Sequence, residues 1–147
     1  MAADPAPPVA SSHPPEASTL RSLAPTSVSA ADVLRRVDST MYMRSGEWLH
    51  EAIEAGRGVA ILDLRADAAY RKGHIKGSTR VALSALPDEV EGLASRVREV
   101  VCVCSGSVQS AMAVVYLRTI GFERAYNLSG GMSSWERQGR PLEASPD

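Results

Sequence analysis

Two apolar runs limit what this chain can become. VAILDL (59–64) and VVCVC (100–104) are almost free of polar residues. Each is too short for a buried helix and rich in branched side chains, so each reads as a strand covered on both faces. Shorter strand-like stretches stand at MYM (41–43), TRVAL (79–83) and RAYNL (124–128). Helical patterns lie between them. SGEWLHEAIEAG has Ser45 as N-cap, Trp48, Leu49, Ala52 and Ile53 on one face, and Gly56 as a stop. ADAAYRKG reads as a short helix ending at Gly73, SALPDEVEGLASRV as helical after Ser84, and QSAMAVVYLRTIG as a helix ending at Gly121. In the last of these, Ala111, Val114, Val115, Leu117 and Ile120 are expected to face the core, and Arg118 and Thr119 to face water. GGMSSWERQG opens a final helix after two glycines. Strand–helix alternation of this kind predicts an α/β fold, a mostly parallel five-stranded sheet with helices on both faces.

The rest of the chain bounds the problem. Residues 1–28 hold six of the nine prolines, among Ala and Ser, without a sustained period. Such a stretch buries too little apolar surface to offset the entropy of ordering it, so a disordered tail is expected. SAADVLRRV, from Ser29, places Val33, Leu34 and Val37 behind an N-cap, giving a short helix or linker over 29–40. The domain proper is expected over 41–142, with a C-terminal tail over 143–147. Sixteen basic against seventeen acidic residues leave a net charge of -1, which provides no electrostatic footprint for nucleic acid or an anionic membrane. The longest apolar run falls far short of a membrane span, and the N-terminus lacks a signal-peptide pattern. The two cysteines, Cys102 and Cys104, are one residue apart and cannot staple distant segments. Unpaired thiols fit a reducing compartment, so the cytoplasm is the expected location.

Cys104 is the residue with the most chemistry in reach. It ends a predicted strand, and the loop Ser105–Ser110 after it opens a helix. Ligands of open parallel sheets bind outside the carboxyl ends of strands. Backbone N–H groups of Ser105, Gly106, Ser107, Val108, Gln109 and Ser110 could converge on the sulfur, stabilise its thiolate and hold an anion. A packed, inert cysteine at a strand end is the alternative. Cys102 lies on the same face of the same strand and reads as buried filler, because i,i+2 strand geometry strains a disulfide. A Cys-x-Cys plus His metal site would need further ligands, and none stands out; no metal and no cofactor are expected.

Three segments together resemble a single rhodanese domain, the sulfurtransferase module. LDLRADAAYRKGHIKGS (62–78) is similar to the family's strand–loop–helix segment, with Asp63, Arg65, Tyr70, Gly73, His74, Ile75 and Gly77 in their expected places. VVCVCSGSVQSAMAVVYLRTIGF resembles the active-site strand, loop and following helix. AYNLSGGMSSWERQGRPLE resembles the closing segment, with Gly130, Gly131 and Trp135. The resemblance implies that Cys104 takes a sulfane sulfur from a donor such as thiosulfate, mercaptopyruvate or a persulfide, and passes it to a thiol, cyanide or a protein acceptor. The loop Ser105–Ser110 would bind the substrate, with Arg65 or Arg80 as a compensating charge. Asp63 and Arg65 are otherwise expected to tie a strand end to nearby loops, His74 to bond backbone, and Tyr70 and Trp135 to pack.

The loop departs from the family's common pattern of cysteine, four residues, arginine, serine. Gln109 stands at the arginine position, and the usual central glycine is displaced, with Gly106 one residue early and Ser107 after it. An arginine would hold the thiosulfate dianion by charge-assisted hydrogen bonds, so this loop should bind thiosulfate less well. The phosphatase relatives of the fold use a longer loop ending in arginine, and this loop has neither feature. The second expectation, of another class, is a non-catalytic rhodanese-like binding or regulatory module, which Gln109 favours and the retained thiol opposes.

Overall fold

The computed structural model describes residues 29–94 and 96–145. The segment 1–28, expected to be a disordered tail, lies outside the described residues. In chain order the elements are α1 (Ala30–Arg36), β1 (Met43–Arg44), α2 (Gly46–Glu54), β2 (Val59–Asp63), α3 (Asp67–Lys72), β3 (Ser78–Arg80), α4 (Leu86–Ala94), β4 (Glu99–Val103), α5 (Val108–Thr119), β5 (Ala125–Leu128) and α6 (Gly131–Arg137). A 3₁₀ turn, Leu83–Ala85, leads into α4. The strands form one sheet in the order β1-β5-β4-β2-β3, with every strand pairing parallel.

The two apolar runs are the adjacent inner strands β2 and β4, in register from Val59 opposite Glu99 to Asp63 opposite Val103. Side chains alternate across a strand, so β4 feeds two cores. Val100, Cys102 and Cys104 pack with Leu62, Leu64, Leu86, Val90, Val114 and Leu117 toward α4 and α5. Val101 and Val103 pack with Leu49, Ile61, Met132 and Trp135 toward α2 and α6. Both faces are therefore dry, which explains why these strands carry almost no polar residues. The N-cap of α2 is as its sequence predicts, with the Ser45 hydroxyl accepting from the Trp48 amide at 3.1 Å.

Several local expectations are corrected. MYM is mostly a turn: Met41 and Tyr42 have φ of 51° and 55°, and the strand is Met43–Arg44. The TRVAL strand starts one residue earlier and ends at Arg80, because the chain turns into the 3₁₀ segment. On α5 the fully buried stripe is Ser110, Ala113, Val114 and Leu117, at i, i+3, i+4 and i+7, while Ala111, Val115 and Ile120 are half-buried. Arg118 and Thr119 are half-buried rather than fully exposed. Val33, Val37 and Tyr42 flank them across a small cleft. The Arg118 Nε donates to Ala125 O at 2.9 Å, with the guanidinium 3.6 Å from the centre of the Tyr42 ring. The Thr119 hydroxyl donates back to Val115 O at 2.8 Å. Residues 143–145 bond back to the domain, since Glu143 and His74 exchange both backbone bonds at 2.8 Å and Ser145 N donates to Arg71 O at 3.2 Å.

Candidate active site

Cys104 follows β4 directly, at the carboxyl ends of β4 and β2. From this point the chain builds the sheet in both directions, β2 to β3 one way and β4 to β5 the other. That reversal is where open α/β sheets leave a crevice. The residue is 2% exposed, and the loop that follows curls over it.

The curl depends on Ser107. Its φ of 76° and ψ of 0° are left-handed, a conformation that costs a non-glycine residue about 1–2 kcal/mol. Bonds to the end of β5 hold it there. The Ser107 hydroxyl donates to Leu128 O at 2.8 Å, and its carbonyl accepts from Asn127 Nδ2 at 3.1 Å. The left-handed residue is thus one position after Gly106, and side-chain bonding does at Ser107 what glycine's freedom does elsewhere.

The second support is α6. Met132 N donates to Cys104 O at 2.8 Å, and Ser133 N to Ser105 O at 3.0 Å. These bonds turn the first two carbonyls of the loop toward α6. In a trans peptide the following N–H points the opposite way, and the Gly106 amide, which follows the Ser105 carbonyl, bonds the sulfur. The approach needs Gly131, whose φ is 55°; a Cβ there would overlap the carbonyl oxygen of Cys104 and stand 2.7 Å from that of Ser105.

These supports shape the thiol. Burial works most strongly against its ionisation, but the Ser110 hydroxyl and the amides of Ser110, Gly106 and Gln109 together outweigh it, holding the Cys104 pKa below the ordinary thiol value. The Ser110 hydroxyl lies 3.2 Å from Sγ and the Ser110 amide 3.5 Å. Cys102 shows the opposite case. It is fully buried, and desolvation, with Cys104 nearby, pushes its pKa up to about 12.

Within the loop Ser107 and Ser110 are buried, whereas Ser105, Gly106, Val108 and Gln109 are exposed. The Val108 side chain is 74% exposed and Met112, one turn on, 59%, so the rim beside the thiol is apolar and uncharged. Arg65 is not part of this cradle. Its Nε and NH2 bond both oxygens of Asp63 at 2.7–3.1 Å, and NH2 also donates to Gly73 O at 2.7 Å. Asp63 pairs with Val103, which faces the opposite side of the sheet from Cys104. The buried ion pair ties β2 to the end of α3, and Arg80 Nε donates to Arg65 O at 3.2 Å. His74 bonds the Tyr70 carbonyl through Nδ1 at 2.9 Å and stacks on the Tyr70 ring at 3.9 Å. The Tyr70 hydroxyl donates to Ser78 O, and the buried Trp135 donates to Pro141 O. Asn127 has no place among the sequence-derived candidates; its signal is a polar residue inside the strand AYNL. No group of three or more His, Cys, Asp or Glu side chains gathers among the described residues.

Comparison with known proteins bears on the domain as a whole. The rhodanese-like domain profile matches residues 45–138. The putative sulfurtransferase YtwF of Bacillus subtilis is 30% identical over 93 residues, 63% of this chain and 88% of that protein. An HTH-type transcriptional regulator of Mycobacterium tuberculosis is 32% identical over 123 residues, 82% of this chain and 52% of that protein. The crystal structure of a rhodanese-related protein from Thermoplasma volcanium matches with a TM-score of 0.63 at 24% identity, over 70% of this chain and 98% of that one. The domain profile covers more than half of the chain, and the chain belongs to the rhodanese-like domain family.

Proposed function

We propose that this protein is a sulfurtransferase in which Cys104 carries a sulfane sulfur. The observation that supports this most directly is the set of donors on the Cys104 sulfur, namely the Ser110 hydroxyl and the Gly106, Gln109 and Ser110 amides. They favour the thiolate, which is the nucleophile. The Cys104 thiolate attacks the sulfane sulfur of the donor, a new S–S bond forms, and the donor's bond to that sulfur breaks with its electron pair leaving on the donor remnant. An acceptor nucleophile then attacks the terminal sulfur, and the Cys104 thiolate is the leaving group. The terminal sulfur of the intermediate is an anion, and the amides turned inward by α6 suit it. The cradle comprises Ser105–Ser110, with Arg65 outside it. With Gln109 in place of a cation, a low-molecular-weight or protein persulfide is a better donor than thiosulfate. Two free thiols, one of which must stay reduced to work, fit a reducing compartment such as the cytoplasm.

Intact mass spectrometry tests the proposal. Incubation with thiosulfate, mercaptopyruvate or glutathione persulfide should add one sulfur, about 32 Da, to the protein and none to Cys104→Ser. The similarity to a transcriptional regulator over 82% of the chain favours a second reading, a regulatory module without turnover. That reading prevails if the folded, reduced protein gains no sulfur from any donor.

A further inference from the structure

The Ser110 hydroxyl has two partners and one proton. Its oxygen is 2.6 Å from Asn127 Oδ1 and 3.2 Å from Cys104 Sγ. The orientation of the Asn127 amide follows from its other end, where Nδ2 donates to Ser107 O at 3.1 Å. The atom facing Ser110 is therefore Oδ1, which only accepts. Both Ser110 and Asn127 are 0% exposed, so no bulk water substitutes for a lost partner.

We infer that Asn127 is a positioning residue that sets the reactivity of Cys104 by competing with its sulfur for the Ser110 proton. In the resting thiol the short bond holds the Ser110 proton on Asn127, and the Cys104 S–H donates to the Ser110 oxygen. All three groups are satisfied. Ionisation removes the S–H proton and leaves an oxygen lone pair facing an anion. The hydroxyl then rotates onto the sulfur, and Asn127 Oδ1, buried, loses its donor. Asn127 thus disfavours charge on Sγ itself. When a sulfur is loaded, the negative charge moves to the terminal sulfur, Sγ becomes neutral, and the hydroxyl returns to Asn127. Asn127 acts against the amide cradle: it keeps the thiol from becoming too acidic, and a thiolate of higher pKa is the better nucleophile.

The competing charges are few. The loop, the first two turns of α5 and the first turn of α6 carry no charged side chain. Cys102, two residues back, stays neutral at working pH. The Asp63–Arg65 pair sits at the end of β2, on the other face.

This inference rests on Cys104 being the nucleophile, but its test does not need turnover. The pH dependence of Cys104 alkylation by iodoacetamide is measured in wild type, Asn127→Leu, Ser110→Ala and the double variant. Asn127→Leu should lower the apparent pKa by about one unit and slow alkylation of the fully ionised thiolate. In the Ser110→Ala background it should change neither. An equal effect in both backgrounds, or a raised pKa, would overturn the inference and leave Asn127 as a prop for Ser107. If Asn127→Leu does not fold, the Asn127 side-chain carbonyl ¹³C shift reports instead. It should titrate with Cys104 in wild type and lose that titration in Ser110→Ala; an unchanged titration overturns the inference. An ordinary thiol pKa in wild type would remove the proposed function as well, whereas uncoupled variants of an acidic thiol remove only the role of Asn127.

Discussion

At the scale of single residues, the site is a thiol whose neighbours supply donors and no charge. Cys104→Ser keeps nearly the same volume and should fold like wild type, as circular dichroism would show, while losing all sulfur loading. Gln109→Arg would add the missing cation at an exposed loop position. Steady-state kinetics should then show a several-fold lower KM for thiosulfate, with kcat less affected; an unchanged KM would mean that anion affinity does not limit this donor. Ser107 separates strain from bonding. Ser107→Ala keeps the left-handed backbone and loses the bond to Leu128 O, and should cost about 1–2 kcal/mol in urea unfolding. Ser107→Gly loses the same bond but relieves the strain, and should be close to neutral. The place of Cys104 is legible in the sequence, because an apolar run that ends in cysteine and small polar residues marks a strand running into a tight loop; the same residues also fit a packed, inert thiol. The left-handed turn at Ser107 is not legible. It depends on Asn127 and Leu128, about twenty residues away in the chain, which meet the loop only once β5 has paired with β4.

At the scale of elements, the site is a loop held between two others. The end of β5 holds its middle, and the start of α6 holds its beginning. Gly131→Ala should therefore act on both stability and chemistry. The added methyl meets backbone oxygen atoms rather than a yielding side chain, at a φ that disfavours alanine. A loss of at least about 2 kcal/mol in unfolding free energy should accompany a loss of sulfur loading under conditions where the variant is still folded. Normal loading by a folded variant would show that the bonds from α6 do not shape the cradle. Helix ends and stripes are largely legible, since Ser45, Gly56 and the Leu117 face obey local rules. Arg118 defeats those rules. Its charge predicts exposure, but the Tyr42 ring and the Ala125 carbonyl supply partners that only the packed α5 flank creates.

For the whole molecule, alternation of strands and helices is enough to predict a parallel sheet, and the structure has one. Strand order is not written locally: β1 contributes only Met43 and Arg44, and its place beside β5 comes from pairing across most of the chain. The two thiols give the molecule opposite responses to pH. Cys104 has a lowered pKa, so loading should persist below the pH at which an ordinary thiol protonates and fall as pH drops through the Cys104 pKa. Cys102 is raised, from 9.0 to about 12, so the folded state keeps a proton that the unfolded chain has lost. Its contribution is intact below pH about 9 and erodes as pH rises toward 12, amounting to about 2 kcal/mol by pH 10.5. Urea unfolding at pH 8 and 10.5 should show a decline that Cys102→Val reduces by about that amount.

If Cys104 carries sulfur as proposed, the spacing of those thiols also bears on how long the loaded sulfur lasts. Cys102 points into the same core as Cys104, two residues back on a straight strand, neutral and sealed from solvent. It has neither the geometry nor the charge to attack a neighbouring S–S bond. On the proposed mechanism Cys102 gives Cys104 no route by which to discharge, and the loaded protein would behave as a reservoir whose half-life is set by a nucleophile arriving from outside. Loaded protein passed through a desalting column free of thiols should emerge with its extra sulfur, and lose it when a thiol is added back.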